Sequence, residues 1–274
     1  MKENLQQSNN EFKEFGYGSI FYSPLLKTTI NDLMSKFILF CDQTSAHKQN
    51  MLFKNSVGYE YHNRNQNTKS VDQKEAFYIK ANYELPENFI SSKTDREFVD
   101  ACKKLLTEVL SLVKDSTATL SEIADTDLSQ YFDNSALTLR AIHYYPDMSP
   151  EIAYHHVDRG GQTYQLYETT DGLEIFWNGK WNKPIFDQNK VIYFPGILAQ
   201  LASEGGLKGL CHRVVSNNES IRNGRYSLVL FVDYFKFGYK YSMNKCGPIE
   251  KAFLPGQNYE IPFLELKNYF EERK

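Results

Sequence analysis

After Asp133 the chain breaks into short alternating segments separated by turn residues, and this texture constrains the fold more than any other feature of the sequence. Turns fall at Arg159-Gly160-Gly161, Asn178-Gly179, Pro195-Gly196, Gly205-Gly206 and Asn223-Gly224. Glycine and asparagine at such places supply the backbone conformations that tight turns need. Between them, Ala136 to Tyr145, Thr163 to Glu168, Leu173 to Trp177, Lys190 to Phe194, Leu210 to Val215 and Tyr226 to Phe235 read as strands. Many short strands with frequent turns make an all-β sandwich or barrel. Trp177-Asn178-Gly179-Lys180-Trp181 is a strong hairpin signal.

The first 133 residues read differently, as a mostly helical part. Leu26, Ile30, Leu33, Phe37 and Cys41 recur at helical spacing after Pro24, which suits a helix start. Phe98, Cys102, Leu105, Val109 and Val113 mark a second helix, capped by Thr94 or Asp95 and continuing, kinked, through Leu120 to Tyr131. Residues 1 to about 15 form a polar arm, and Tyr61 to Ser70 a loop. No linker or fixed repeat separates the two parts. The expectation is one domain over 1–274, with 1–133 mostly helical and 134–240 forming a β core that carries a metal site.

Composition narrows the function classes. Apolar residues are 41% of the chain and charged residues 24%, which argues against a disordered or fibrous chain. The longest apolar runs, Phe37 to Cys41 and Leu228 to Val232, are five residues each, against the roughly 20 of a membrane helix. The start, MKENLQQSNNEFKEF, has no apolar signal-peptide core, so a cytoplasmic location is expected, with no membrane partner. With 31 basic against 34 acidic residues and no long run of one sign, nucleic acid is not an expected partner. The four cysteines are scattered without a CxxC pair and read as reduced thiols.

The chemistry is concentrated in YHHVDRGG. In a strand, residues i and i+2 share a face, so His156 and Asp158 present an imidazole and a carboxylate together, while His155 points the other way. His212 in GLCHRVV is the only histidine downstream. Two His and one carboxylate leave three positions of an octahedral ion open, as in non-haem Fe(II) oxygenases; zinc favours a more closed tetrahedral set. Alone, such a pattern also occurs in hydrogen-bonded cores. Two more i, i+2 pairs add weight: Arg225 with Ser227, a guanidinium and hydroxyl suited to a carboxylate, and His143 with Tyr145.

These residues lie in segments that resemble the isopenicillin N synthase-like branch of the iron and 2-oxoglutarate dependent oxygenases, from about Gly58 to Tyr234. The resemblance is carried by GYEYHN, VDQKEAFYI, RAIHYYP, HHVDRGGQTYQLYETTDGLEIFWNGKWNKP, and CHRVV followed by GRYS. It implies a double-stranded β-helix, a cupin-like jelly roll, mainly β with flanking helices. It implies Fe(II) on His156, Asp158 and His212, and 2-oxoglutarate on Arg225 and Ser227 with Tyr145 assisting. Oxygen is then the third participant, with no catalytic side chain beyond the ligands. Where the family commonly has Asn, this chain has His143. Tyr78, Arg140, His143 and Arg159 are candidates for a small-molecule substrate, with core packing as the alternative for Tyr78 and surface ion pairs for Arg140 and Arg159. The implied activity is hydroxylation of a small molecule, a free amino acid being the leading choice, as 2-oxoglutarate is decarboxylated to succinate. Alternatives are an oxidase that uses no 2-oxoglutarate and performs cyclisation or desaturation, and a non-catalytic cupin-like binding module.

Overall fold

The computed structural model describes residues 10–54, 56–62, 73–86, 89–147, 149–185, 187–203 and 205–234. Most of the expected loop from Tyr61 to Ser70, Phe235, Cys246 and the segment after Tyr239 lie outside them. Helix α1 (Pro24–Cys41) starts where Ser23 accepts the Leu26 N–H and proline occupies the first turn. After the short α2 (Ser45–Gln49), α3 (Lys93–Glu108) and α4 (Leu110–Ala124) follow one another with a break at Val109. The cap of α3 is Ser92, not Thr94 or Asp95. Its side chain accepts the Asp95 N–H while the Asp95 carboxylate accepts the Ser92 N–H, a reciprocal box that satisfies two helix-start donors. The expected continuation to Tyr131 is interrupted after Ala124 by Asp125 in a left-handed conformation, and Leu128–Tyr131 forms a separate 3₁₀ turn.

Eleven strands are present among the described residues: β1 (Gly18–Phe21), β2 (Gly58–His62), β3 (Lys74–Lys80), β4 (Leu137–Tyr144), β5 (Glu151–Val157), β6 (Gln162–Glu168), β7 (Leu173–Trp177), β8 (Lys180–Asn182), β9 (Lys190–Pro195), β10 (Cys211–Val215) and β11 (Arg225–Val232). They form an antiparallel seven-stranded sheet, β1-β9-β6-β11-β4-β3-β2, and a four-stranded sheet, β5-β10-β7-β8. β7 and β8 are joined by the expected hairpin, with positive φ at both Asn178 and Gly179. The mostly helical part thus also lends β1, β2 and β3 to the larger sheet. Two short helices, α5 (Ile197–Ala202) and α6 (Asn218–Asn223), lie in the second half, and residues 10–15 of the expected polar arm are helical with Phe12 in the core.

The larger sheet buries both faces. Leu137, Leu139 and Ala141 of β4 join Phe37, Phe40, Phe98 and Leu105 in the core under the helices. Their neighbours Ile142 and Tyr144 belong to a second cluster with Ala153 and Val214 of the smaller sheet. Alternation along one strand therefore separates a helix-facing core from a space between the sheets, and that space holds the site.

Candidate metal centre and co-substrate pocket

Between the sheets lies a cavity with about 50 Å³ open to water, whose wall includes His156, Asp158, His212, Arg225, Ser227 and Arg140. His156 reaches it through a β-bulge. His212 pairs with His156 and Val214 with Ala153, so Tyr154 and His155 together oppose Arg213 alone. Ala153 and His156, three residues apart, consequently both line the cavity. Asp158 sits just past β5 and is held by α5: Ile197 N–H donates to the Asp158 carbonyl (2.8 Å) and Leu198 N–H to that of Gly160 (3.1 Å). A Cβ on Gly196 would lie 2.3 Å from the Gly160 oxygen, so only glycine allows this close approach.

The donor set fits a divalent cation. Nδ1–H of His156 donates to the Tyr154 carbonyl (2.6 Å) and Nδ1–H of His212 to that of Leu210 (3.1 Å). Each imidazole thus turns its Nε2 towards the Asp158 carboxylate, at 3.3 and 3.6 Å, and against the effect of burial that carboxylate raises the His156 imidazole. One ligand atom from each residue lies within 4.8 Å of the others. Converging lone pairs call for a cation between them, and backbone carbonyls on the far nitrogens are the usual means of fixing a ligand tautomer. Burial opposes ionisation of Asp158, yet His212, His156 and the Thr163 hydroxyl (2.6 Å) hold its carboxyl well below the usual range. Burial also pushes His212 down to about 4, keeping its imidazole neutral at ordinary pH.

At the other end, Arg225 is 1% exposed and Ser227, on the same face, accepts a hydrogen bond from Gln165 (2.8 Å). Arg225 is paired across the ladder with Tyr144, and Tyr144 with Lys74 on β3. The guanidinium lies 5.9 Å and the Lys74 ammonium 5.7 Å from the Tyr144 ring. One row of the larger sheet therefore carries two cations about a tyrosine. Lys74 and Tyr144 were not singled out from the sequence; the signal that finds Tyr144 is its register opposite Arg225.

Tyr145 does not line this cavity. It shares a face with His143, as expected, but that face is the outer one: the Tyr145 ring packs on Tyr61 and His143, and its hydroxyl bonds Glu75. His143 likewise bonds Glu75 (3.0 Å) and stacks on Tyr226, away from His156, Asp158 and His212. A strand's alternation decides which residues travel together and the tertiary partners decide which set faces inward. Arg140 does line the cavity. It lies over the Tyr78 ring at 4.8 Å and 3.8 Å from Glu60, which accepts the Tyr78 hydroxyl (2.9 Å). Phe77 belongs to the helix-facing core. Arg159 is exposed and is not part of the cavity wall. His155 points outward beside Tyr154 and Glu151.

Residues 135–233 match the family described as the 2OG-Fe(II) oxygenase superfamily. Leucoanthocyanidin dioxygenase of Vitis vinifera is 32% identical over 90 residues, 31% of this chain and 25% of the relative. That of Petunia hybrida is 33% identical over 85 residues, 30% and 20% of the two chains. The chain thus aligns with about a quarter of the length of these curated relatives. Among solved structures, a full-length Neurospora crassa protein in complex with alpha-KG superposes with a TM-score of 0.71 at 18% identity, over 84% of this chain and 79% of that one. A putative 2OG-Fe(II) oxygenase family protein of Caulobacter crescentus gives 0.70 at 19%, over 84% and 81%. The Arabidopsis thaliana dioxygenase for auxin oxidation, as its 2-oxoglutarate complex, gives 0.66 at 17%, over 84% and 87%. The resemblance to Fe(II)/2-oxoglutarate oxygenases is borne out, and the fold is the expected double-stranded β-helix.

Proposed function

We propose that this chain, whose residues 135–233 carry a 2OG-Fe(II) oxygenase domain, is an Fe(II)- and 2-oxoglutarate-dependent dioxygenase that hydroxylates a small molecule. The observation that carries the reading is the convergence of two imidazole lone pairs and one carboxylate in the same cavity as a buried guanidinium. His156, Asp158 and His212 would hold Fe(II), which when bound supplies oxidising chemistry with O2 and 2-oxoglutarate as co-substrates. The residues here have narrower tasks. Thr163 fixes the Asp158 carboxylate, and the carbonyls of Tyr154 and Leu210 fix the two imidazoles. Arg225 and Ser227 receive the distal carboxylate of 2-oxoglutarate, with Tyr144 in the place expected for Tyr145. Phe194, Leu173 and Val214 are apolar parts of the wall that keep water from the reacting centre.

A free amino acid as substrate is supported by Arg140, a cation on the cavity wall that suits a substrate carboxylate. The oxidase reading has one observation in its favour: Arg225 already has a carboxylate partner in Glu168. Anaerobic titration of Fe(II) and 2-oxoglutarate, followed by turnover with O2 admitted, separates the two. The dioxygenase reading expects a charge-transfer band that His212→Ala abolishes, and succinate formed in step with substrate consumed. Turnover without 2-oxoglutarate or succinate rejects it in favour of the oxidase.

A further inference from the structure

The guanidinium of Arg225 does not stand alone in the barrel. Its Nη2 bonds the Glu168 carboxylate and its Nε donates to the Thr170 carbonyl (3.1 Å). Glu168 lies opposite Ser227 in the β6–β11 ladder and is itself buried. A complete ion pair therefore occupies the place where the distal carboxylate of a dicarboxylate must arrive. Nη1 takes part in neither bond and offers a second edge of the fork.

The resting pair is neutral. A second carboxylate on the same guanidinium would leave one unmatched negative charge in a buried site, which is costly. A proton on Glu168 removes that charge, and the resulting carboxyl can still accept from Arg225 through its carbonyl oxygen. We propose that Glu168 is a positioning residue that yields Arg225 to the co-substrate by taking up a proton from solvent, so that 2-oxoglutarate binding and protonation of Glu168 are one coupled event. The inference rests on the dioxygenase reading above.

The surroundings favour this. Burial raises the Glu168 carboxyl, Arg225 opposes the rise and Asp171 adds to it, and the net direction is upward. Tyr22, from the segment before α1, is the neighbouring phenol and stays neutral because burial and Glu168 push it up. The clefts that Glu168 shares further out bring Lys27, Asp187, Lys190 and Lys183. Arg225 is the charged group in direct ion-pair contact.

Uptake of one proton makes apparent affinity fall about tenfold for each pH unit over the range where it operates. The test is calorimetric titration of 2-oxoglutarate into the Mn(II)-loaded full chain, in two buffers of different ionisation enthalpy, from pH 6 to 8. The wild-type protein should take up close to one proton. Glu168→Gln should take up none, show a flat profile and bind 2-oxoglutarate at least tenfold more tightly at pH 8. 2-Oxobutanoate, which keeps the keto acid but lacks the distal carboxylate, should bind wild type without proton uptake. No uptake by wild type, uptake retained in Glu168→Gln, or equal uptake with 2-oxobutanoate overturns the proposal. If Glu168→Gln does not fold, the wild-type profile decides: a flat one overturns it. Failure of both proteins to bind 2-oxoglutarate rejects the dioxygenase reading together with this one, whereas binding by Glu168→Gln alone supports the competition.

Discussion

The two faces of β4 carry similar residues to opposite ends. Outward, His143 and, just beyond the strand, Tyr145 meet Glu75, a buried carboxylate that also accepts from Tyr59 (3.0 Å) and Lys48 (2.5 Å). Inward, Arg140 and Tyr144 look into the cavity that holds His156, Asp158 and His212. Cys41, Glu75 and His143 bring their ligand atoms within 4.8 Å of one another, as the inner triad does. The decisive difference is the cation. Outside, the Lys48 ammonium already occupies the carboxylate, so the cluster is a closed salt bridge. Inside, the partners of Asp158 are two imidazoles and a hydroxyl, and the lone pairs face one another. Residue types thus do not distinguish a structural cluster from a functional one; satisfaction of the buried groups does.

Exchanging the two carboxylates for alanine tests this most severely. Asp158→Ala should abolish turnover and lower Fe(II) affinity by a hundredfold or more, while costing the metal-free protein less stability than Glu75→Ala does, because it leaves no buried ammonium without a counter-charge. Glu75→Ala should do the reverse. It leaves Lys48 buried without its counter-charge, a cost of roughly 3 to 5 kcal/mol, while the folded fraction retains Fe(II) affinity. Metal titration and urea unfolding of both variants give the result, and a large loss of Fe(II) affinity in folded Glu75→Ala would collapse the distinction between the faces.

Acid should reach the outer network in a defined window. Burial works against the Glu75 carboxylate, but His143, Lys48 and Tyr59 outweigh it and bring the carboxyl down to about 2 from an ordinary 4.5. A depressed carboxyl gives stabilisation that is complete above its unfolded value and lost as pH falls towards the folded one. The urea midpoint of the wild type should therefore fall between pH 4.5 and 2 more steeply than that of Glu75→Gln, the two converging at the acid end. Parallel curves would remove Glu75 from the account.

How much of this was legible beforehand follows from what alternation can encode. The strands after Asp133 were readable because turn residues bound them, and His156 and Asp158 stood out as a pair because i and i+2 share a strand face; the structure brings His212 to them. β3 was missed as a strand although its residues carried part of the family resemblance. KEAFYIK puts apolar Phe77 and Ile79 under the helices but Lys74, Ala76 and Tyr78 on the inner face, so no polar side marks it. Glu168 gave no signal of its own; a single carboxylate at a strand end acquires meaning only when Arg225 packs against it.

The smallest effect bears on the face assignment itself. Sequence resemblance puts Tyr145 on 2-oxoglutarate, whereas the register of β4 against β11 puts Tyr144 opposite Arg225. The two tyrosines are adjacent, so a one-residue slip of β4 would exchange their roles and those of every neighbour. Phenylalanine at each position removes one hydroxyl and little else. If Tyr144 faces the co-substrate, Tyr144→Phe should weaken 2-oxoglutarate binding by about tenfold, the worth of a hydrogen bond to a charged group at about 1.5 kcal/mol. Unfolding should then be nearly unaffected. Tyr145→Phe should leave 2-oxoglutarate affinity within twofold and lower stability by about 1 kcal/mol, because its hydroxyl bonds Glu75 rather than a ligand. Calorimetric affinity and the urea midpoint, measured on both variants, separate the assignments: a loss of 2-oxoglutarate affinity that follows Tyr145 and spares Tyr144 would reverse the inner and outer faces of β4.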